Sequence, residues 1–591
     1  MVADPGLVLA GVSLAFQTFS GCVVAFDLFS SAISFGKDAE RHLAYLSLQE
    51  FLLFAFAQQA GIIEQRREPY LDYDRVQKSL AQIESLLTDV ERLKKRYGFK
   101  IGTGNKEHNP VQRSDKESTN KSILPVNDSN DSQLQFLYHA NLLEERTRVL
   151  ATGKELNRVA SFPKKIWWSA VDQTRFKAFI ADLAKWIQSL NDLLDSNRRR
   201  IQQDYLSKTY AKTVSNTDQL ERLENLFFAM LATQNSALPV AMSKLKAIHL
   251  AQLSHHSSDG DKLLRSMAIL NCSDPDATNY FEDYNIPIEQ ISDLCGHVGV
   301  YRDSPVLVDL KDLRSGDDGN VTITFNRQIR DLIRLLGVPK PAEFCTLSLR
   351  GYLNDLPRKW GYVFDIPRQM QRKYETLYDL LGNEDYLPSL TNRFRLAEKL
   401  ASALYLFHSV EWYHKAISSH TIVFFTTLDG DECLANPYFI GFDYSRLASK
   451  VEESEKPRSN PHQDVYRHVK AQYPTSLDEP FEAIYDIYSL GVVFLELAYW
   501  RPIESVLDEE NIINFNQCTS EDLRRVAPAL LRLSTCSEPL YNTSFRVGDV
   551  FSGIIRVCLT GGFEGTDKKY SNGLQDSFFE KVVTPLKNLA I

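Results

Sequence analysis

An all-α helical bundle followed by an α+β region is the fold class this chain predicts, and three observations predict it. Up to about residue 235, apolar side chains recur at spacings of three and four, the mark of amphipathic helices. From about residue 296, short apolar runs of strand type come first and helical runs follow. Between the two lies a polar, less patterned connector over 236–295. Length agrees, since 591 residues give room for roughly two to four domains.

Composition narrows the class. The chain is 43% hydrophobic and 24% charged, ordinary for a globular protein. Its eight cysteines form no C-x-x-C pair, which argues against a disulfide scaffold or zinc ribbon and for a reducing cytosol. Without an export signal, the sequons at Asn120 and Asn542 read as chance matches. The net charge of −9 is unevenly spread: residues 1–240 carry 30 Lys+Arg against 28 Asp+Glu, leaving 37 against 48 in the remainder. Neither half is strongly basic, and no zinc-finger or RNP motif occurs, so nucleic acid is not an expected partner.

The first element is the uncharged stretch Gly6–Phe26, which includes Leu9, Val12, Leu14, Phe16 and Val23. At about 1.5 Å per residue it is just long enough to cross a hydrocarbon layer of about 30 Å. Asp4 precedes it and the first cation is Lys37, the wrong flanks for a secretory signal. Three readings stay open: a buried core helix, a helix buried or exposed according to state, and a permanent anchor. Next, Val76, Leu80, Ile83, Leu87 and Val90 form one apolar stripe, and Phe176, Phe179, Ile180, Leu183, Trp186, Ile187 and Leu190 form another. The polar span from Gly102 to about Gln133 reads as a long loop. Together these predict an all-α bundle over 1–235. The basic clusters Lys94–Arg96, Lys164-Lys165 and Arg198–Arg200 are candidates for lipid headgroups or for plain solvated helix ends.

Several blocks of this half match a known pattern in order. They are the opening Gly6-Leu-Val-Leu-Ala-Gly-Val, then Cys22-Val-Val-Ala-Phe-Asp, then Phe35-Gly-Lys-Asp-Ala-Glu-Arg, then Lys164-Lys-Ile-Trp-Trp-Ser-Ala-Val-Asp with the helix after it. They resemble the fungal HeLo (het-s/LopB, prion-inhibition and propagation) domain over about 230 residues. The resemblance implies a helical bundle whose N-terminal helix can leave the fold and enter membrane, causing incompatibility cell death.

In the second half, Val306-Leu-Val-Asp-Leu-Lys311 reads as a strand, and Asn326–Leu336 as a helix offering Asp331. Gly361–Pro367 reads as a strand running into a turn, Leu377–Leu381 opens a helical region, and Phe394–Phe407 is an amphipathic helix. That helix leads into Glu411-Trp-Tyr-His414-Lys415-Ala416-Ile-Ser-Ser-His-Thr421. Phe439-Ile-Gly441-Phe442-Asp443-Tyr-Ser-Arg446 follows, then Asp486-Ile-Tyr-Ser-Leu-Gly491-Val-Val-Phe-Leu-Glu, and the chain closes on a helical Phe578–Ile591. These blocks resemble a protein kinase over about 300–591. The resemblance implies a two-lobed, kinase-like α+β fold, with a small lobe over 296–367 and a large lobe over 368–591.

By that resemblance Lys311 would pair ATP phosphates, with Asp331 as its partner. His414 and Lys415 keep the frame of the catalytic loop H-R-D-x-x-x-x-N, with Ala416 in the base position and Thr421 in the metal-ligand position. Gly441 stands where the magnesium Asp belongs, Phe442 is in register, and Asp443 lies two positions late. Gly296-His-Val-Gly299 lacks the glycines of a phosphate loop. Tyr466-Arg-His-Val stands in for the A-P-E block. His414, Lys415, Phe442, Asp486 and Gly491 are structural, with Asp486 tying down loop backbone.

Alanine cannot accept a proton, and each lost acid–base or electrostatic element costs about 10²–10⁴-fold in rate. The expectation is therefore a pseudokinase, not an enzyme, with no metal and no required cofactor. ATP binding through Lys311, Asp331 and Asp443 stays open. The whole reads as a cell-death or incompatibility effector, cytoplasmic with conditional relocation to a membrane. Its partners would be membrane lipid on activation, further copies of itself, and an upstream kinase or receptor. The alternatives are a pseudokinase scaffold without membrane activity and a divergent active Ser/Thr kinase.

Overall fold

The structure is a computed structural model. It describes residues 5–32, 39–103, 140–156, 166–169, 173–231, 237–253, 258–267, 285–312, 332–428, 434–447, 460–472, 481–509, 526–535, 543–563 and 571–590, apart from 296, 357–358 and 443–444, with isolated positions between 514 and 522. Asp331, Asp443, Lys164, Lys165, Gly296 and the anticipated loop from residue 104 onward lie outside the described residues. Two compact units divide the chain, Met1–Thr213 with Glu221–Val240, and Val214–Leu220 with Ala241–Ile591. Residues 214–220 thus belong to the second unit, as does the anticipated connector from residue 241 on, while 236–240 stay with the first.

The first unit is built from α1 (Pro5–Ala32), α2 (Ala39–Gln59), α3 (Tyr73–Thr88), α4 (Val90–Tyr97), α5 (Ala140–Glu155), α6 (Gln173–Asn191), α7 (Ser196–Ser215) and α8 (Leu220–Leu231). The stripe Val76, Leu80, Ile83, Leu87 faces the core, each residue fully buried. It does not run unbroken into Val90. Asp89 ends α3 and caps α4, its carboxylate accepting the amide of Arg92 at 3.0 Å. The second stripe packs Phe176, Phe179, Ile180, Leu183, Ile187 and Leu190 inward on α6, with Trp186 half-buried. One small sheet joins the helices: β1 (Lys100–Thr103) pairs antiparallel with β2 (Ile166–Ser169), the Trp-Trp block of the sequence.

In the second unit α9 (Ala237–Leu253) and α10 (Ser258–Ser266) precede a five-stranded antiparallel sheet. Its strands are β3 (Ile291–Cys295), β4 (Val298–Tyr301), β5 (Ser304–Asp312), β6 (Ser348–Leu356) and β7 (Lys359–Asp365), in the order β3-β4-β5-β7-β6. A helical turn at 332–337 lies in sequence between β5 and β6. Val306, Val308, Leu353 and Val363 form its apolar core with Ile286, Ile291 and Tyr301.

Beyond it lie β8 (Met370–Thr376), α11 (Leu377–Gly382), α12 (Leu390–Ser409), β9 (Trp412–Tyr413), β10 (Ile422–Thr427), β11 (Tyr438–Phe439) and β12 (Arg446–Leu447). Helices α13 (Ala483–Tyr499), α14 (Ile503–Glu509), α15 (Val526–Thr535), α16 (Thr543–Thr560), α17 (Ser571–Phe578) and α18 (Thr584–Leu589) complete the unit, a π-helical turn at Phe579–Val583 joining the last two. Helix α13 is central: Ile487, Leu490, Val492, Val493, Leu495 and Leu497 are all fully buried. Burying each such side chain contributes about 1.5–3 kcal/mol. The architecture is a helical unit followed by an α+β unit, as the sequence predicts.

Candidate functional site

Helix α1 places the first candidate site. Of the residues singled out on it, Val12, Val23 and Phe26 are buried, Phe16 is half-buried, and Leu14 is 37% exposed. Gly6 and Leu9 lie on the described backbone, their surroundings outside the described residues. Packing is specific: the Phe19 ring meets Phe54 edge-on at 5.1 Å, and Phe29 stacks on Phe179 at 5.1 Å. Cys22 donates its S–H to the Leu80 carbonyl at 3.2 Å.

Helix α5 crosses α1 closely because position 153 is glycine. A Cβ there would stand 2.7 Å from the Ser20 carbonyl oxygen. Gly11–Ser31 is long and apolar enough to cross a membrane, and 67% of that stretch is buried. The sole acidic or basic residue of α1, Asp27, faces Lys154 at 3.2 Å and Arg146 at 3.7 Å, both on α5. Arg146 in turn donates from Nε to the buried Glu50 of α2 at 2.9 Å and from a terminal nitrogen at 3.3 Å. One ionic cluster thus fastens α1, α2 and α5 together. Burial pushes the Glu50 carboxyl above its ordinary pKa, and the Arg146 charge and hydrogen bond pull it back.

The second site is the loop after α12. Asp486, fully buried in the first turn of α13, accepts the amide of His414 on one carboxylate oxygen and that of Lys415 on the other, both at 2.8 Å. His414 is buried between the rings of Phe439 and Phe442, 5.4 and 4.8 Å away. Burial pushes its imidazole down to about 4, with Asp486 opposing, so it is neutral at physiological pH. The Lys415 ammonium lies 5.0 Å from the Phe481 ring centre. Ala416 offers only backbone, and its carbonyl accepts the Thr421 hydroxyl at 2.8 Å. That hydroxyl also accepts the Ser418 amide at 3.0 Å, closing the loop on itself. Gly491 sits on the α13 face against Cys558, where a Cβ would come to 2.7 Å.

Gly441 holds φ +75°, where a Cβ would stand 2.7 Å from the Thr421 methyl. Its amide donates to the Asp309 carboxylate of β5 at 2.9 Å. Asp309 was missed in the sequence, although it lies two positions before Lys311 on the same strand. Aligning Val306-Leu-Val-Asp309 rather than the run ending at Lys311 would have found it. The Lys311 backbone pairs opposite Trp360; its side chain, like Asp331 and Asp443, lies outside the described residues.

Behind the loop, the Ser419 hydroxyl, the Tyr466 hydroxyl and the Glu496 carboxylate form a buried cluster. The Tyr466–Glu496 bond is 2.7 Å and the Ser419–Tyr466 bond 2.8 Å. Burial pushes Glu496 up to about 8. Among the described residues no group of three or more His, Cys, Asp or Glu is arranged to hold a metal.

Residues 6–225 match the HeLo family model, prion-inhibition and propagation. The match ends before the α+β region begins. No curated protein matches the chain.

Proposed function

We propose that this chain is a cell-death or incompatibility effector of the fungal type, whose helical unit acts on membranes under the control of a catalytically inactive kinase-like unit. The match over residues 6–225 carries the reading. Helix α1 supports its membrane step, being an uncharged span up to Asp27 that is held in the bundle by packing and by the Asp27–Arg146–Glu50 cluster. Once freed, its apolar surface would find a bilayer more favourable than water. Self-association would gather several such helices at one patch, with anionic headgroups met by basic clusters such as Arg198–Arg200.

The sheet order, a three-strand meander followed by a hairpin inserted the other way round, supports the kinase-like reading of the second unit. So does the buried Asp486 holding loop backbone. Two contacts among the described residues argue against a magnesium nucleotide here. Asp309 sets a carboxylate against Gly441 where phosphate would need a cation, and the Thr421 hydroxyl is occupied within its own loop. No phosphotransfer step is assigned to this site. Cytoplasmic residence with relocation on activation follows from the same reading.

Liposome leakage by the 1–235 fragment tests it, with Leu9→Lys as the variant; equal leakage from both would remove the proposed role of α1. The burial of two-thirds of the α1 span favours a second reading, a scaffold whose bundle stays closed. Soluble localisation in stimulated cells would select it. Phosphotransfer abolished by Lys311→Met would select the divergent-kinase reading instead.

A further inference from the structure

We propose that Glu411 is a positioning residue through which the degenerate loop holds α9, the helix by which the chain enters the second unit. Glu411 occupies the turn between α12 and β9, two residues after the helix ends and three before His414. Its φ of 57° is a left-handed conformation that costs a side-chain-bearing residue free energy. The turn is pinned by its amide, which donates to the His408 carbonyl at 3.0 Å. From this fixed position its carboxylate reaches His249 Nδ1 at 2.5 Å and Lys246 Nζ at 3.2 Å. Those two residues are three apart on α9, hence on one face.

Lys246 is fully buried, and an ammonium out of water requires compensating acceptors. It has three: Glu411, the Ser215 carbonyl at 3.2 Å, and Asp218 at 3.5 Å.

A second tie meets the same turn independently. Gln575 on α17 donates its amide to the His408 carbonyl at 2.8 Å and accepts the Ser215 hydroxyl at 3.0 Å. The His408 ring faces Asp486 at 3.4 Å, and Asp486 grips the His414 and Lys415 amides. The contacts therefore close a ring, from α9 through Glu411 to the loop, on to Asp486 and His408, through Gln575 to Ser215, and back to Lys246. A loop without a base has no catalytic need for such anchoring. Anchoring makes sense as coupling: whatever displaces the loop must also strain or free α9. Freed, residues 241–253 would add 13 residues of tether, about 45 Å when extended. The idea deepens the proposed control of the helical unit, but its test needs no membrane, so either can fail without the other.

The test is peptide-resolved hydrogen exchange on the full-length chain in solution. Glu411→Gln should speed exchange across 241–253 by about tenfold or more while the central α13 keeps its protection. In a background carrying both Lys246→Met and His249→Gln, adding Glu411→Gln should change exchange by less than about threefold, because both of its charged partners on α9 are already gone. Asp486→Asn should loosen α9 in the same direction. Unchanged exchange over 241–253 in Glu411→Gln would overturn the proposal. So would equal loosening of α9 and α13, which would make Glu411 a general stability residue. If Glu411→Gln fails to fold, His249→Gln tests the same contact more gently and is judged by the same two outcomes.

Discussion

Arg146→Met isolates the ionic cluster that fastens α1. The guanidinium gives Glu50 two hydrogen bonds, at 2.9 and 3.3 Å, and Glu50 is 1% exposed, so no water replaces them without rearrangement. Removing one partner of a buried pair costs about 3–5 kcal/mol. Protonation of Glu50 sets a ceiling. Each pH unit above an ordinary carboxyl pKa near ~4.3 adds about 1.36 kcal/mol, giving about 4 kcal/mol at pH 7.5 and about 1.6 at pH 5.5. The sign follows from the direction of the shift. Glu50 is raised in the folded protein, so its contribution is fully present below the unfolded pKa and is lost as pH rises through the folded one. Taking Arg146 away widens that gap, so the variant should approach wild type on acidification. The assay is exchange protection of the α1 and α2 peptides at both pH values, together with the melting transition of the helical unit. Glu50→Leu added to Arg146→Met should restore most of the loss. A variant within about 1 kcal/mol of wild type at pH 7.5, or one whose deficit grows as pH falls, would refute the reasoning.

Three further outcomes are expected. Gly153→Leu forces side-chain volume into the α5–α1 crossing, where even a Cβ would meet the Ser20 carbonyl at 2.7 Å; it should destabilise the helical unit by about 1–3 kcal/mol and raise exchange along α1. Asp486→Asn replaces one of two acceptors with a donor facing a backbone amide. It should cost the second unit about 1–3 kcal/mol, read as a lower melting transition for that unit with the helical unit unmoved. Acid should loosen α9 selectively: burial alone would raise Glu411, but the His249 hydrogen bond and the Lys246 charge outweigh it and hold the carboxyl at about 2. With a depressed folded pKa, that stability is present above about pH 4.5 and lost as pH falls toward 2, at most about 3 kcal/mol, read by pulsed exchange of 241–253.

The helical half was legible where periodicity is strong. The stripes on α3 and α6 bury as the spacing says, because a 3.6-residue repeat of large apolar side chains has one way to face a core. What periodicity missed is local chemistry. Asp89 splits the first stripe because a carboxylate that caps an amide competes with helix continuation, and an apolar count does not register it. The Trp-Trp block forms a strand by pairing with Lys100–Thr103, and periodicity could not foresee it because that partner lies 63 or more residues away and short strands carry little signal of their own. Lys246 and His249 were invisible for a similar reason. In sequence they are two of five polar residues on a mostly apolar helix, with Ser243, Lys244 and Gln252, and only the fold brings Glu411 to them.

The second unit separates two kinds of constraint that a working loop would combine. Positions whose duty is to hold backbone retain groups able to do so: Asp486 grips two amides, and His414, neutral and buried, fills space between two aromatic rings. On the proposed kinase-like reading, three positions that would manage nucleotide charge carry groups unsuited to it. Ala416 has no base, the Thr421 hydroxyl is spent on Ala416 and Ser418, and Gly441 turns its amide toward Asp309. On that reading the Asp309 contact would go further than loss, because a carboxylate fixed there would repel phosphate while it stabilises the loop. On the proposed inactive-kinase reading, a frame kept rigid without that chemistry needs another load. The only charged helix contact made by its first turn, among the described residues, is Glu411 on Lys246 and His249, which makes α9 the place where that load would be felt.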